Sequence, residues 1–340
     1  MAPRRRITLD QIAEAAEVSR ATVSKALNGR EDVAELTRQR VLEAARSLGY
    51  VLPLSPSGRT RVLTVALDTL ESYYVNRVLA GVLSAAHDHG TVVDVRIFPD
   101  HEESRSATWV QRVVEAGHLG LITVTRELSP DQHRVIRAAS LPVIALDPLQ
   151  EEDSDVPTIS SANWNGGMRA TGHLIALGHR RIGFAAGPAS SLPAREREMG
   201  YRSAVLEAGL GIDERLIGGD GYTYASGLEA ASAMLALPPA QRPTAIMAVC
   251  DVVAMGVYEA ARRAGLSVPE DLSVVGYDDT FLAECAAPPL TTIHQALETM
   301  GARAVEAVHD LAAGSARTIG SVQIPTYLVE RASAAPPRTA

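Results

Sequence analysis

The sequence predicts an α/β protein of two similar lobes, each on a parallel sheet, carried behind a small all-helical head. Three observations predict it. Between residues 62 and 278, short and nearly continuous apolar runs alternate with stretches of helical periodicity, the pattern of parallel strands covered by helices on both faces. That rhythm runs to about residue 147 and restarts near residue 156. The first fifty residues hold helical patterns only.

The 340 residues suit two or three domains at about 150 residues each. With 46% apolar and 21% charged residues the composition is that of a folded chain. Cys250 and Cys285 match no ligand spacing, so neither a metal site nor a disulfide framework is expected. No apolar run reaches the ~18 residues of a membrane span. Arg4-Arg5-Arg6 is not followed by the apolar stretch of a signal peptide. A cytoplasmic protein with no membrane partner is expected.

Charge divides the chain. Residues 1–60 carry ten basic and seven acidic groups, a surplus of +3 against −8 for the whole chain, which leaves −11 on the remainder. An acidic body with a basic head points to a polyanion-binding module. Lys25 is the chain's single lysine.

In the head, Thr8 caps a helix with Asp10 in its first turn and Leu9, Ile12, Ala13 and Ala16 at helical spacing. After a short turn at Val18, Ser19 caps a second helix, closed by Asn28-Gly29. A third follows Leu36-Thr37, with Val41, Leu42, Ala45 and Leu48 on one face. Two short helices joined by three or four residues form a helix-turn-helix, whose second helix fits the major groove of B-DNA. Its outward face carries Arg20, Ala21 and Lys25, with Thr22 and Ser24 beside them. A helical hairpin that packs on a partner protein is the alternative.

The stretches IAEAAEVSRATVSKALNG and LEAARSLGY, within residues 7–50, resemble the DNA-binding headpiece of the LacI/GalR family of bacterial transcription regulators. The resemblance implies that Arg20, Ala21 and Lys25 face base edges. Arginine and lysine there favour guanine, and a methyl favours thymine's methyl. It also implies that Thr8, Ser19, Thr22, Ser24, Asn28 and Thr37 hold phosphates and fix register.

Residues 51–61, VLPLSPSGRTR, hold two prolines, two serines and a glycine and read as a linker. In the family this stretch forms a hinge helix on DNA and wedges a leucine into the minor groove. Leu52 and Leu54 are the candidate wedges. The segment is shorter than is usual in the family, and Pro53 and Pro56 break a regular helix, so a plain spacer is the alternative.

The body reads as strand 62–68, helix 75–89, strand 91–98, helix 107–116, strand 120–125, helix 130–139 and strand 142–147. The second round is strand 156–160, helix 165–177, strand 181–186, helix 194–208, strand 244–249, helix 252–264 and strand 272–278. Ligands of such sheets bind beyond the carboxyl ends of the strands. Asp68, Arg126, Asp147, Asp251 and Asp278 fall at those ends, with Tyr73, Tyr74, Tyr222 and Phe281 nearby. Carboxylates with a guanidinium chelate vicinal hydroxyls, and aromatic rings stack on a sugar's apolar face. Loop caps or an ion network between lobes would use the same charged residues.

The stretches LIALGHRRIGFAAGPASSLPAREREMGYRSAV and SVVGYDDTFLAECAAPPLTTIHQ are similar to the family's effector-binding domain, a two-lobed periplasmic-binding-protein-like fold of type I. The resemblance implies that Arg197 grips effector hydroxyls, that Asp278 is an effector carboxylate, and that Asp147, Tyr222 and Gln295 line the cleft. Cys250-Asp251 and Ala162-Asn163 depart from the family's usual Asn-Asp and Asp-Asn. The implied domains are a headpiece at 1–50, a hinge at 51–61 and an effector-binding and dimerisation domain at 62–332, ending in a disordered tail at 333–340. The implied lobes are 62–160 with 291–321, and 161–290 with 322–332, with helix 301–314 returning to the first.

No glycine-rich phosphate loop, nucleophile elbow or H-E-x-x-H pair is present. The expectation is a non-enzyme with no cofactor or metal: a homodimeric regulator, most readily a repressor, bound to double-stranded operator DNA and controlled by a sugar-like effector. The alternative is a cytoplasmic sugar-binding or sugar-processing protein whose head contacts other proteins.

Overall fold

The computed structural model describes residues 9–27, 33–34, 36–37, 39–41, 44, 60–98, 105–149, 156–315 and 320–338. Thr8, Asn28, Leu52 and Leu54 lie outside the described residues.

In the head, α1 (Leu9–Ala15) and α2 (Arg20–Leu27) are joined by a reversal at Glu17, whose φ is 53°. The Thr22 N–H donates to Ser19 Oγ at 3.1 Å, the expected cap. Ile12, Ala13, Ala16, Val23, Ala26, Val33, Val41 and Ala44 bury together, so small residues bring the helices close. Residues 36–37, 39–41 and 44 are helical, as the third pattern requires.

The first lobe has a six-stranded parallel sheet in the order β11-β5-β4-β3-β1-β2. Its strands are β1 (Val62–Leu67), β2 (Val92–Ile97), β3 (Gly120–Val124), β4 (Val143–Leu146), β5 (Thr158–Ser161) and β11 (Val322–Ile324). One face packs on α3 (Tyr73–Asp88) and α11 (Leu297–Ala313) through Val78, Val82, Met300 and Val305. The other packs on α4 (Ala107–Glu115) and α5 (Pro130–Ala139) through Trp109, Val113 and Ile136.

The second lobe has a four-stranded parallel sheet, β7 (Ile217–Gly218), β6 (Ile182–Ala185), β8 (Ala245–Ala248) and β9 (Ser273–Val275), in that order. It carries α6 (Asn163–Ala176), α7 (Leu192–Glu207), α8 (Tyr224–Leu235), α9 (Asp251–Arg263) and the short α10 (Phe281–Cys285). An antiparallel pair, β10 (Thr292–His294) with β12 (Tyr327–Val329), lies against the second lobe, tied to the end of β9 by bridges at Val275–Thr291 and Asp278–His294.

The parallel α/β architecture predicted for the chain is therefore present. Three details differ. Strand β10 lies with the second lobe and β11 in the sheet of the first, so the later crossings fall at about 295 and 325 rather than 290 and 322. Helix α8 was not read from the sequence, because its buried face is Ser226, Gly227, Ala230, Ala231 and Met234 rather than a large apolar stripe. The tail expected to be disordered from residue 333 is held as far as Arg338. Ser333 Oγ donates to the Val274 carbonyl at 2.6 Å, Ala335 N–H donates to Ser273 Oγ at 3.0 Å, and Arg338 pairs with Asp271. Backbone groups beside β9 satisfy a segment whose own side chains are small. Among the described residues, no helix is long and apolar enough to cross a membrane.

Three helix pairs cross at reciprocal glycines. A Cβ on Gly81 would lie 2.0 Å from the Glu298 carbonyl oxygen, and one on Gly301 would lie 2.2 Å from that of Val78. Gly167 and Gly200 do the same for α6 and α7, and Gly227 and Gly256 for α8 and α9. The backbones approach more closely than any side chain permits. Gly301→Ala must separate α3 from α11, so it should cost at least about 1–3 kcal/mol of stability. Urea unfolding of the variant measures this, and an unchanged midpoint would contradict the packing.

Candidate functional site

The surface of α2 follows from its burial. Val23 and Ala26 face the head's core, while Arg20, Ala21 and Lys25 are exposed and Thr22 and Ser24 half-buried beside them. Arg20 Nε lies 3.7 Å from Asp10 Oδ1, with both side chains largely in solvent, where such a pair is weak and easily exchanged for another anion. Ser19 Oγ is occupied by the helix cap and lies 2.8 Å from Thr22 Oγ1. Thr37 is half-buried on the third helix.

The second candidate site forms where the lobes meet. Arg197, on α7, is only 3% exposed. Its Nε donates to Asn163 Oδ1 at 2.8 Å, and its Nη1 donates to the Val249 carbonyl at 2.8 Å and to Asp278 Oδ1 at 3.5 Å. The guanidinium carbon sits 3.8 Å from the centre of the Tyr277 ring. Burial opposes its charge, but Tyr277, Asp278, Tyr222 and Asp147 together raise its pKa. Nη2 has no hydrogen bond among the described residues.

Asp278 follows β9 with φ at 113°, and its Oδ1 accepts from Gln295 Nε2 at 2.5 Å. Burial pushes its carboxyl up to about 8, Arg197 and Gln295 pulling down while Asp251 and Asp147 push further up. Asp147 comes from the first lobe, at the end of β4, with φ at 40°. It accepts from Tyr74 Oη at 2.6 Å and from the Ser161 N–H at 3.2 Å. Burial raises its pKa, while Tyr74, Arg197, Ser161 and Asn163 lower it. Burial and then Asp147 push the Tyr74 phenol well up, so it stays protonated and donates. Positive φ in non-glycine residues at two strand ends is backbone strain gathered at one place.

The other predicted residues divide. Tyr222, whose hydroxyl lies 2.7 Å from Ser191 Oγ, is in the same cluster, since Arg197 and Asp278 both act on its phenol. Asp68 pairs with Arg126 on the first lobe, and the Arg126 guanidinium carbon lies 4.9 Å from the centre of the Phe98 ring. Tyr73 and Phe281 are 44% and 64% exposed and make no contact with the cluster among the bonds described. Asp251 is wholly buried. Its carboxylate accepts from Thr280 N–H at 2.7 Å, Thr280 Oγ1 at 2.9 Å and Thr292 Oγ1 at 2.6 Å, fastening the loop after β9 to β10.

Sequence reasoning did not single out Asn163, Tyr277, Ser191, Cys250 or Glu196. Asn163 opens α6 and holds Arg197. The buried thiol of Cys250 and the half-buried carboxyl of Glu196 are both raised by burial. Only Ala162-Asn163 and Cys250-Asp251 carried a signal, as departures from a motif.

Comparison with known proteins covers both regions. Residues 8–52 match the family of bacterial regulatory proteins, lacI family, and residues 171–334 match the periplasmic binding protein-like domain. The HTH-type transcriptional regulator CelR of Thermobifida fusca is 33% identical over 98% of this chain and 100% of its own. The HTH-type transcriptional repressor CytR of Escherichia coli K12 is 31% identical over 96% of each. Among solved structures, a CelR–cellobiose complex has a TM-score of 0.74 at 30% identity, covering 96% of this chain and 100% of that one. The lac repressor dimer bound to operator and the anti-inducer ONPF has a TM-score of 0.75 at 29% identity, covering 97% and 100%.

Asp251→Ala would leave three buried donors without an acceptor. The loss should be about 3 kcal/mol of stability, read by chemical denaturation of the unliganded protein. A change within error would mean that the carboxylate is not what holds the loop.

Proposed function

The chain belongs to the LacI family of bacterial regulatory proteins, and from that premise we propose a homodimeric transcriptional repressor whose operator affinity is set by a sugar-like effector held between its lobes. The exposed face of α2 supports the DNA half. Arg20 and Lys25 supply cations able to reach guanine O6 and N7, Ala21 a methyl contact, and Thr22, Ser24 and Thr37 hydroxyls for phosphate. Ser19 sets the start of α2 through its cap. Thr8 and Asn28 complete the phosphate contacts in this reading, with Leu52 or Leu54 in the minor groove. Two copies read two halves of a near-palindromic operator, as two-fold symmetry requires.

The observation that carries the effector half is the buried cluster of Arg197, Asp278, Gln295 and Asp147, drawn from both lobes and both sides of the crossovers. Asp147, Tyr74, Arg197, Asp278, Tyr222 and Gln295 hold the guest. Asp68, Arg126, Tyr73 and Phe281 form the rim. Asp251 positions the Asp278 loop. A guest that touches both lobes prefers one angle between them. By linkage, that preference changes operator affinity by the same factor as DNA changes affinity for the guest.

Lys25→Ala should lower operator affinity by roughly 1–3 kcal/mol and leave the response to effector in place. Fluorescence anisotropy with DNA from the protein's own upstream region reads both, and unchanged affinity would remove Lys25 from the groove. Arg197→Ala should do the converse, binding operator as the parent does while losing its response to any sugar that shifts the parent protein. A full response in that variant would place the effector elsewhere.

A further inference from the structure

The head holds one side chain whose chemistry goes beyond contact with DNA. Of the chain's 32 lysine and arginine residues, Lys25 alone is a lysine. It sits in the last turn of α2 and is exposed, beside Ala21, also exposed, one turn earlier on the same face. The neighbour along the helix surface is therefore a methyl and not a long arm lying over the ammonium. The other cation of that face, Arg20, is a guanidinium largely in solvent.

Guanine recognition alone does not call for a lysine here. Arginine's planar fork matches guanine O6 and N7 with two parallel hydrogen bonds, whereas an ammonium acts as a point charge. What lysine supplies and arginine does not is an amine that can release a proton and attack an activated carbonyl, since a guanidinium stays protonated. With every other basic side chain of this pair an arginine, an acyl donor meets one side-chain amine in the whole chain. That amine lies on the outward face of α2.

We propose that Lys25 is an acyl-acceptor site through which an activated acyl donor, a thioester or an acyl phosphate, turns off the head. This rests on the reading of α2 as the helix in the major groove. The deprotonated Nζ attacks the donor's carbonyl carbon. A C–N bond forms, and the C–S bond of the thioester or the C–O bond to phosphate breaks. The thiolate or phosphate leaves with the electron pair, and the nitrogen passes one further proton to solvent. No oxidant or reductant takes part. The product is a neutral amide, with one N–H in place of three and a new carbonyl oxygen, an acceptor set against the acceptors of guanine and phosphate. The head's surplus of +3, which stands against −11 on the rest of the chain, falls by one, and the counterion release that drives DNA binding falls with it. Bound operator covers the same amine and slows its acylation.

The test treats the full-length protein with acetyl-CoA in one arm and acetyl phosphate in the other, each with and without saturating DNA from the protein's own upstream region. Peptide mass spectrometry reads acetylation at Lys25 and at the N-terminal amine, and fluorescence anisotropy reads operator affinity. At least one donor should acetylate Lys25, and the arm that responds tells a thioester source from an acyl phosphate. At full occupancy operator affinity should fall at least about fivefold, and bound operator should lower the occupancy reached in a fixed time. Lys25→Arg controls for the N-terminal amine. Its treated and untreated forms should bind operator equally, whatever its own affinity. Three outcomes overturn the proposal and leave the groove reading standing: Lys25 unmodified by both donors, Lys25 modified with affinity unchanged while Lys25→Ala binds more weakly than the parent, or an equal loss in treated Lys25→Arg. If neither Lys25→Ala nor acetylation alters affinity, and operator gives no protection, Lys25 leaves the groove and the proposal falls with that assignment.

Discussion

A guanidinium almost out of reach of water fixes the architecture around it. Burying the charge of Arg197 is tolerable only with partners placed for it. Those partners come from separate parts of the chain: Asn163 at the start of α6, the Val249 carbonyl at the end of β8, Asp278 after β9, and the Tyr277 ring beneath. Bringing Asn163 to Arg197 requires α6 and α7 to touch backbone to backbone, which Gly167 and Gly200 allow. Bringing Asp278 there requires a loop bent through two residues of positive φ, Asp278 and Asp279. That strain persists because Asp251 anchors the next residue, Thr280, through both its N–H and its hydroxyl.

The two adjacent aspartates divide their work. Asp278 turns toward the cleft, while Asp279 pairs with His294 at 2.8 Å and Arg331 at 2.7 Å. His294 ends β10, just before the chain crosses to the first lobe, and Arg331 follows β12, just after the chain has come back. Tyr327 stacks on His294, with ring centres 4.6 Å apart. The loop that presents a carboxylate to the cleft is thus fastened to two of the three crossovers. The third begins at Ser161, whose N–H donates to Asp147. Each crossover is bonded to a loop that carries a cleft carboxylate, a geometry in which the angle between lobes and the positions of those carboxylates change together.

Much of this was legible in residue order, for reasons that can be named. Buried parallel strands must be apolar throughout, so β1, β3 and β4 stood out in the sequence. Ser19 and the Ser129-Pro130 pair announced helix starts that the structure keeps, the latter as a full capping box. Strand ends located Asp147 and Asp278 without any structure. What escaped was whatever depends on approach rather than period. Helix α8 hides its face in glycine and alanine because α9 lies too close for anything larger. The tail is ordered by hydrogen bonds through the Ser333 and Ser273 hydroxyls, whose partners its composition does not reveal. Asp251 shares the strand-end signature of Asp278 yet is occupied by two threonines distant in sequence. Position at a strand end gives a carboxylate its neighbourhood, and only the partners in that neighbourhood give it a role.

A buried cluster with more carboxyl groups than guanidinium groups is a poor structural choice, which makes it informative. Replacing such a cluster with apolar side chains would commonly stabilise a fold. Its retention makes sense where the unliganded state must sit within reach of a second arrangement, since coupling between two sites is typically only 1–3 kcal/mol. A ligand can shift that balance only by as much as it prefers one arrangement. The unpartnered Gln295 Oε1, carboxyls raised by burial and two strained strand ends all lie at the lobe junction. Each is a cost to the fold. Under the proposed function, the ligand's preference would be felt first at the crossovers to which these groups are tied.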